Sequence, residues 1–131
     1  RILNHWDNLD DTVERGYAGL SMWEWTAKEI PTERIHHYGE LCASVGLNGA
    51  VLNNVNANPL ILDKEHIERV AQIANILREY GITTYLSIKW TSPVTLDGLK
   101  SGDPLDPKVR QWWKNKAAEI YTAIPISAAF S

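Results

Sequence analysis

Three apolar segments of this chain run directly into side chains that could bind a ligand. One of them, residues 84–88, is followed by the string KWTSP at residues 89–93. Trp6 and Asp7 follow the short apolar strand predicted at the start of the chain, and three asparagines follow residues 49–52, namely Asn53, Asn54 and Asn56. A tryptophan ring offers a flat apolar face to the C–H groups of a sugar, while carboxylates and amides hydrogen-bond neighbouring hydroxyls. These residues therefore indicate a site for a ligand rich in hydroxyl groups.

The same side chains also have structural interpretations. Trp6 could fill the core while Asp7 is solvated, and the asparagines could form the turn after a strand. Three asparagines within four residues exceed what one turn needs, which favours Asn54 and Asn56 as ligand-binding residues. For Trp6 and Asp7 the residue types alone leave both interpretations open.

Binding residues need a scaffold, and the spacing of apolar residues predicts three helices. The helices are predicted over residues 33–45, 63–80 and 107–124. Asp63 is a suitable N-cap for the second helix, since its carboxylate can accept from free N–H groups of the first turn. Gly46 and Gly81 end the first two helices, and Pro125 breaks the third.

The helices alternate with apolar strands. The strands are predicted at the start of the chain, at residues 49–52 and 84–88, and at residues 126–130. The second and third are near-continuous apolar runs of the kind that a parallel sheet buries on both faces. This alternation predicts an α/β fold whose strands are parallel and end at one shared edge.

The missing motifs favour a barrel over a nucleotide-binding sheet. No glycine-rich phosphate loop follows any of the strands, as a nucleotide site would require. A complete (β/α)8 TIM barrel takes about 250 residues, and this chain has 131 residues. We therefore predict a partial TIM barrel, the first three to four βα units, with residues 1–131 as the amino-terminal part of one catalytic domain.

Two long connections cross the predicted strand ends, residues 9–30 and 90–106. Long loops in compact domains are often functional. In the first connection Glu24 lies between Trp23 and Trp25, a setting in which a carboxyl group could act as a general acid. We favour instead a surface loop that the two tryptophans anchor onto the barrel.

Composition excludes several classes of function. The net charge is −3, and no run of Lys and Arg interleaves with aromatics, so we expect no nucleic-acid partner. No apolar stretch approaches the roughly 20 residues that span a bilayer, so we expect no membrane partner, and the first residues look internal to a longer protein. His36 and His37 lack a third ligand, and Cys42 falls on an apolar helix face, so neither a metal nor another cofactor is predicted.

Five strings stand in a fixed order along nearly the whole chain. They are RILNHWDN from residue 1, ERGYAG from 14, NGAVLNNVNA from 48, SP from 92 and DPLDP from 103. Together they closely resemble the α-glucuronidases of glycoside hydrolase family 67. The resemblance implies the early part of that family's (β/α)8 catalytic domain. It also implies removal of glucuronic acid, or its 4-O-methyl ether, from xylo-oligosaccharides with inversion at the anomeric carbon, without a metal.

The resemblance assigns roles to two residues. Trp6 resembles the strand-end tryptophan that walls the uronic acid pocket, and Val55 resembles the small apolar residue that presses on the sugar near its anomeric centre. With Asp7, Asn54 and Asn56 they form the predicted binding site for glucuronic-acid-substituted xylo-oligosaccharides. Inversion needs an acid and a base roughly 6.5–9.5 Å apart. In the family both come from later strands, so no catalytic residue is assigned to this chain.

A second interpretation is a non-catalytic half-barrel. Three βα units leave two open sheet edges and an apolar face that further strands would cover. Such a chain would be a structural or self-associating module, for which a homodimer is one expected form. The string ISAAFS, residues 126–131, departs from the family's pattern, which leaves this interpretation standing beside the first.

Overall fold

A computed structural model describes residues 1–124, in which three parallel strands form one sheet. The strands are β1 (Ile2–Asn4), β2 (Gly49–Val51) and β3 (Thr83–Tyr85), in the order β1-β2-β3. Ala50 lies opposite Leu3 on one side and Thr84 on the other. Because both pairings are parallel, all three strands end at the same edge, as predicted.

Four α-helices follow the strands. They are α1 (Thr32–Ser44), α2 (Lys64–Arg78), α3 (Ser92–Asp97) and α4 (Pro107–Ala123), with a short 3-10 helix at Pro59–Leu62. The three predicted helices are confirmed, and so is the N-cap of α2, where Asp63 accepts from the backbone N–H of His66 at 2.8 Å. Gly46 and Gly81 follow α1 and α2 with φ of +78° and +72°, a conformation that favours glycine.

Helix α3 corrects the prediction of a loop over residues 90–106. Pro93 stands in its first turn, where a missing N–H costs nothing, and Gly98 ends it with a φ of +66°. Leu96 packs against the core and holds the helix in place. Six residues are too short a pattern for helical spacing to be recognised.

The predicted burial of the third strand on both faces is wrong. β3 is shorter than the predicted 84–88, and Tyr85 and Ile88 are exposed. Within residues 1–124, β2 alone has a strand on each side, and its Ala50 is fully buried. β3 is an edge strand, so its outer side lacks the neighbour that would bury it. The predicted fourth strand, 126–130, lies outside the described residues.

The long connection between β1 and α1 contributes to the core. Trp23 is fully buried and meets Tyr38 of α1 edge to face, with ring centroids 5.3 Å apart. Trp25 is buried as well, while Glu24 between them is partly exposed. The preferred interpretation, a loop anchored by two tryptophans, is confirmed. Cys42 is also buried in this core, as predicted.

Candidate functional site

The ends of β1 and β2 remain joined beyond the strands themselves. The backbone N–H of His5 donates to the carbonyl of Val51 at 3.0 Å. The N–H of Asn54 then donates to the carbonyl of Asp7 at 2.8 Å. These bonds bring the two predicted groups of binding residues side by side at the carboxyl edge of the sheet, where β/α proteins place their ligands.

Asp7 is neither solvated nor open to the surface. Its side chain is buried, with the residue 4% exposed, and Oδ2 accepts hydrogen bonds from the Ser21 hydroxyl at 2.6 Å and the Met22 N–H at 3.0 Å. Both donors belong to the connection between β1 and α1. The solvated interpretation of Asp7 is therefore wrong, and in the described structure this carboxylate fastens the connection to the end of β1.

Asn54 is also buried, and its whole amide is engaged. Nδ2 donates to the Oδ1 of Asn8 at 2.9 Å and to the backbone carbonyl of Glu14 at 3.1 Å. Oδ1 accepts from the backbone N–H of Asn56 at 2.9 Å. Because buried amide groups are costly to leave unpaired, this network fixes the end of β2 against the connection.

Asn53 makes a different link. Its amide exchanges two hydrogen bonds with the backbone of Ser87, at 3.0 and 2.8 Å, which ties the end of β2 to the segment after β3. This is the structural interpretation of an asparagine at a strand end, and here it holds. Asn53 was one of the three asparagines considered as ligand-binding residues, and because it is buried with both ends of its amide bonded to Ser87, that interpretation is wrong for it.

Three predicted residues reach the surface at this edge. Trp6 is 40% exposed, so the alternative that it fills the core is wrong. Val55 and Asn56, at the end of β2, are exposed as well. We call Trp6, Val55 and Asn56 the strand-end surface. It combines an aromatic ring, an aliphatic group and an amide, a set that can contact both the C–H groups and the hydroxyls of a sugar.

Residues 14–20, which we call the arm, approach the same surface. Glu14 anchors the arm through its backbone: its N–H donates to the carbonyl of Trp6 at 2.9 Å, and its carbonyl accepts from Asn8 and Asn54. Antiparallel bridges join Asp7 to Val13 and Thr12 to Leu20 on either side. The arm belongs to the connection over residues 9–30 that was predicted to cross the strand ends, although none of its residues was among the predicted binding residues. The sequence feature that indicates the arm is the pair of glycines in ERGYAG, Gly16 and Gly19, where the chain turns with positive φ.

His5 was also missed. Its Nε2 lies 2.7 Å from the hydroxyl of Tyr38, and its Nδ1 lies 3.8 Å from Oδ1 of Asp7. Burial lowers the pKa of His5, and the nearby Asp7 carboxylate opposes this only in part. Burial also raises the pKa of Tyr38, with a further contribution from its contact with the Cys42 thiol. Neutral His5 thus connects α1 to the end of β1, a contact between distant residues that no local pattern indicates.

A groove of about 460 Å³ lies on another side of the sheet, between β3, α2 and α4. Its walls are mostly aliphatic, with Leu86, Ile88 and Ile120 among them. A ligand site usually adds a few convergent polar groups to such walls. In this groove Arg78 is the one charged side chain among the lining residues.

Residues 1–124 also bear on two further kinds of function, metal binding and membrane insertion. No three His, Cys, Asp or Glu side chains come together there in a way that could hold a metal ion. His36 instead bonds the hydroxyl of Tyr80 at 2.7 Å, and His37 is exposed on α1. Among the described helices, none has the length and apolar character to cross a membrane.

Comparison with known proteins identifies the family. Residues 1–131 match the model of the glycosyl hydrolase family 67 middle domain. The probable alpha-glucuronidase A of Aspergillus terreus is 43% identical over 131 residues, which are 99% of this chain and 16% of that protein. The alpha-glucuronidase A of Emericella nidulans is 43% identical over 136 residues, again 99% of this chain and 16% of the relative. The chain thus spans about one sixth of the length of these relatives, and it belongs to glycosyl hydrolase family 67.

Proposed function

We propose that this chain is the early part of the catalytic barrel of an α-glucuronidase that acts on xylo-oligosaccharides carrying glucuronic acid or its 4-O-methyl ether. The family match and the names of the relatives support the activity. The observation that carries the proposal is the strand-end surface, where Trp6 and Val55 are exposed at two strand ends that backbone hydrogen bonds join. Xylan degradation is the process that such an enzyme serves.

The residues of the site divide into two roles under this proposal. Trp6 forms a wall of the uronic acid pocket, Val55 presses on the sugar near its anomeric carbon, and Asn56 hydrogen-bonds sugar hydroxyls. Asp7 and Asn54 are buried and bonded to the protein. They therefore serve the substrate by holding the contact residues in place, as preorganised sites require.

The reaction we propose proceeds with inversion at the anomeric carbon. One carboxylic acid protonates the leaving oxygen while a carboxylate activates water on the opposite face of the sugar. Asp7 is unsuited to either task because its buried Oδ2 already accepts two hydrogen bonds. We place the acid and the base in the longer enzyme, on strands of the barrel that follow this chain.

The unpaired edge of β3 supports a partial barrel. β3 has a strand partner on one side within residues 1–124, and the aliphatic groove beside it is of the kind that a following strand and helix cover. The same edge supports the second candidate, a non-catalytic half-barrel that associates with itself. Unpaired strand edges and exposed apolar groups favour association with another chain.

Hydrolysis by the full-length enzyme that contains this chain tests the proposed function. We expect release of glucuronic acid from aldotriouronic acid, with the β anomer appearing first in ¹H NMR spectra because the α linkage inverts. Release of the α anomer would contradict inversion, and no release would contradict the activity.

The isolated 131-residue chain tests the partial barrel. We expect no hydrolysis, because inversion needs the acid and the base together. We also expect sedimentation as a homodimer or larger species, since within residues 1–124 the outer edge of β3 has no strand partner. A compact monomer that hydrolyses the substrate would contradict both the partial barrel and the placement of the catalytic pair outside this chain.

A further inference from the structure

The arm carries the most exposed large apolar side chains at this edge of the sheet. Tyr17 is 75% exposed and Leu20 is 86% exposed. Trp6 and Val55 of the strand-end surface are exposed as well, and the arm that carries Tyr17 and Leu20 is bonded to Trp6 through the backbone of Glu14. Single exposed apolar residues are ordinary on a protein surface, whereas a group of them marks a binding surface.

The base of the arm is fixed in place. Glu14 has a φ of +57°, which a residue with a side chain adopts only where its surroundings impose it. Three hydrogen bonds impose it here. The Glu14 N–H donates to the Trp6 carbonyl, and the Glu14 carbonyl accepts from the side chains of Asn8 and Asn54. Tyr17 follows three residues later, just beyond Gly16, whose φ is +94°. The backbone of the arm is thus bonded directly to the residue that walls the proposed pocket.

We propose that Tyr17 stacks on the xylose residues beyond the one that carries the uronic acid; this inference rests on the proposed function. Xylopyranose lacks a hydroxymethyl group, so its ring offers a flat C–H face that matches a phenol ring. The uronic acid is the part that the pocket encloses, while the xylose chain extends from it toward solvent. Tyr17 lies beyond Trp6 along the arm and is open to solvent, which fits the extending part.

The experiment compares two substrates that differ in the number of xylose residues. In the full-length enzyme, kcat/KM is measured with aldobiouronic acid, which has one xylose, and with aldotetraouronic acid, which has three. We expect Tyr17→Ala to lower kcat/KM for the longer substrate about five- to tenfold, through KM. For the shorter substrate we expect less than a twofold change, and Tyr17→Trp should retain the preference for the longer one.

Leu41→Ala is the control, because Leu41 is a 68% exposed apolar residue on α1. It should leave both substrates unchanged. Equal losses on the two substrates after Tyr17→Ala, or no loss on either, would overturn the stacking role while the proposed function stands. If the unsubstituted enzyme released no glucuronic acid from either substrate, the proposed function itself would fail.

Discussion

The ends of β1 and β2 differ in chemistry from the outer edge of β3, although all three strands belong to one sheet. At the first region the buried polar groups of Asp7 and Asn54 are paired within the protein, and a few side chains stand out above them. At the second, a groove with mostly aliphatic walls runs beside an edge strand. The first arrangement is typical of a preorganised binding surface. The second is typical of a surface that another strand or helix covers.

The two regions should lose stability for different reasons when a side chain is removed. A polar network is sensitive to the loss of any one partner, because a buried donor or acceptor then stays unpaired. An apolar region is sensitive to lost volume. Substitutions that remove a hydrogen-bond partner or an apolar side chain should therefore distinguish the two regions by the stability that each one loses.

The largest effect is expected in the apolar core beneath β3. Leu77 of α2 is fully buried, so Leu77→Ala should lower the free energy of unfolding by about 2–5 kcal/mol. Urea denaturation measures the change. Leu41→Ala is the control, since Leu41 lies exposed on α1 and should cost less than about 0.5 kcal/mol. Similar losses for the two variants would show that the core is not where the structure places it.

The polar network should give the next largest effect. Asn54→Ala leaves the Asn56 N–H and the Asn8 Oδ1 without their partner, and should cost about 1–3 kcal/mol. The exposed Asn75, which accepts from Arg78, provides the control Asn75→Ala. Urea midpoints measure both. A cost for Asn54→Ala no larger than that of the control would argue against a buried network at the strand ends.

A smaller, pH-dependent effect is expected from His5. Folding lowers the pKa of His5 below its ordinary value of about 6.5, chiefly by burial. The unfolded chain then binds more protons than the folded one as the pH falls, so stability is full above pH 6.5 and declines below it. His5→Gln should reduce this decline in thermal unfolding series, while the exposed His37→Gln should not. The same decline in both variants would contradict a buried, neutral His5.

The substitution of Glu24 should have the smallest effect on stability and activity. Its carboxylate lies 3.9 Å from Arg34 Nη1, and both side chains are largely exposed, so the pair contributes about 0–1 kcal/mol. Glu24→Gln should leave the urea midpoint and the activity of the full-length enzyme nearly unchanged. Loss of activity without unfolding would give Glu24 the catalytic role that its position between two tryptophans first suggested.

The sequence predicted those features that local patterns determine. Helical spacing, the Asp63 cap and the glycine stops located α1 and α2, and strand alternation predicted the parallel sheet. The exposure of β3 was mispredicted because an apolar run does not reveal which strand lies at an edge. The pairing of His5 with Tyr38 and of Asn54 with Glu14 joins residues 33 and 40 positions apart. Such contacts depend on the folded chain, and periodicity carries no information about them.

The central claim is that the ends of β1 and β2, and not the end of β3, form the binding surface. Each region offers an exposed tryptophan, Trp6 at 40% and Trp90 at 66%. The most direct test is therefore kcat/KM for aldotriouronic acid in the full-length enzyme with Trp6→Ala or Trp90→Ala. We predict a loss of about tenfold or more for Trp6→Ala and less than twofold for Trp90→Ala. An unchanged kcat/KM for Trp6→Ala, or an equal loss for Trp90→Ala, would contradict the account.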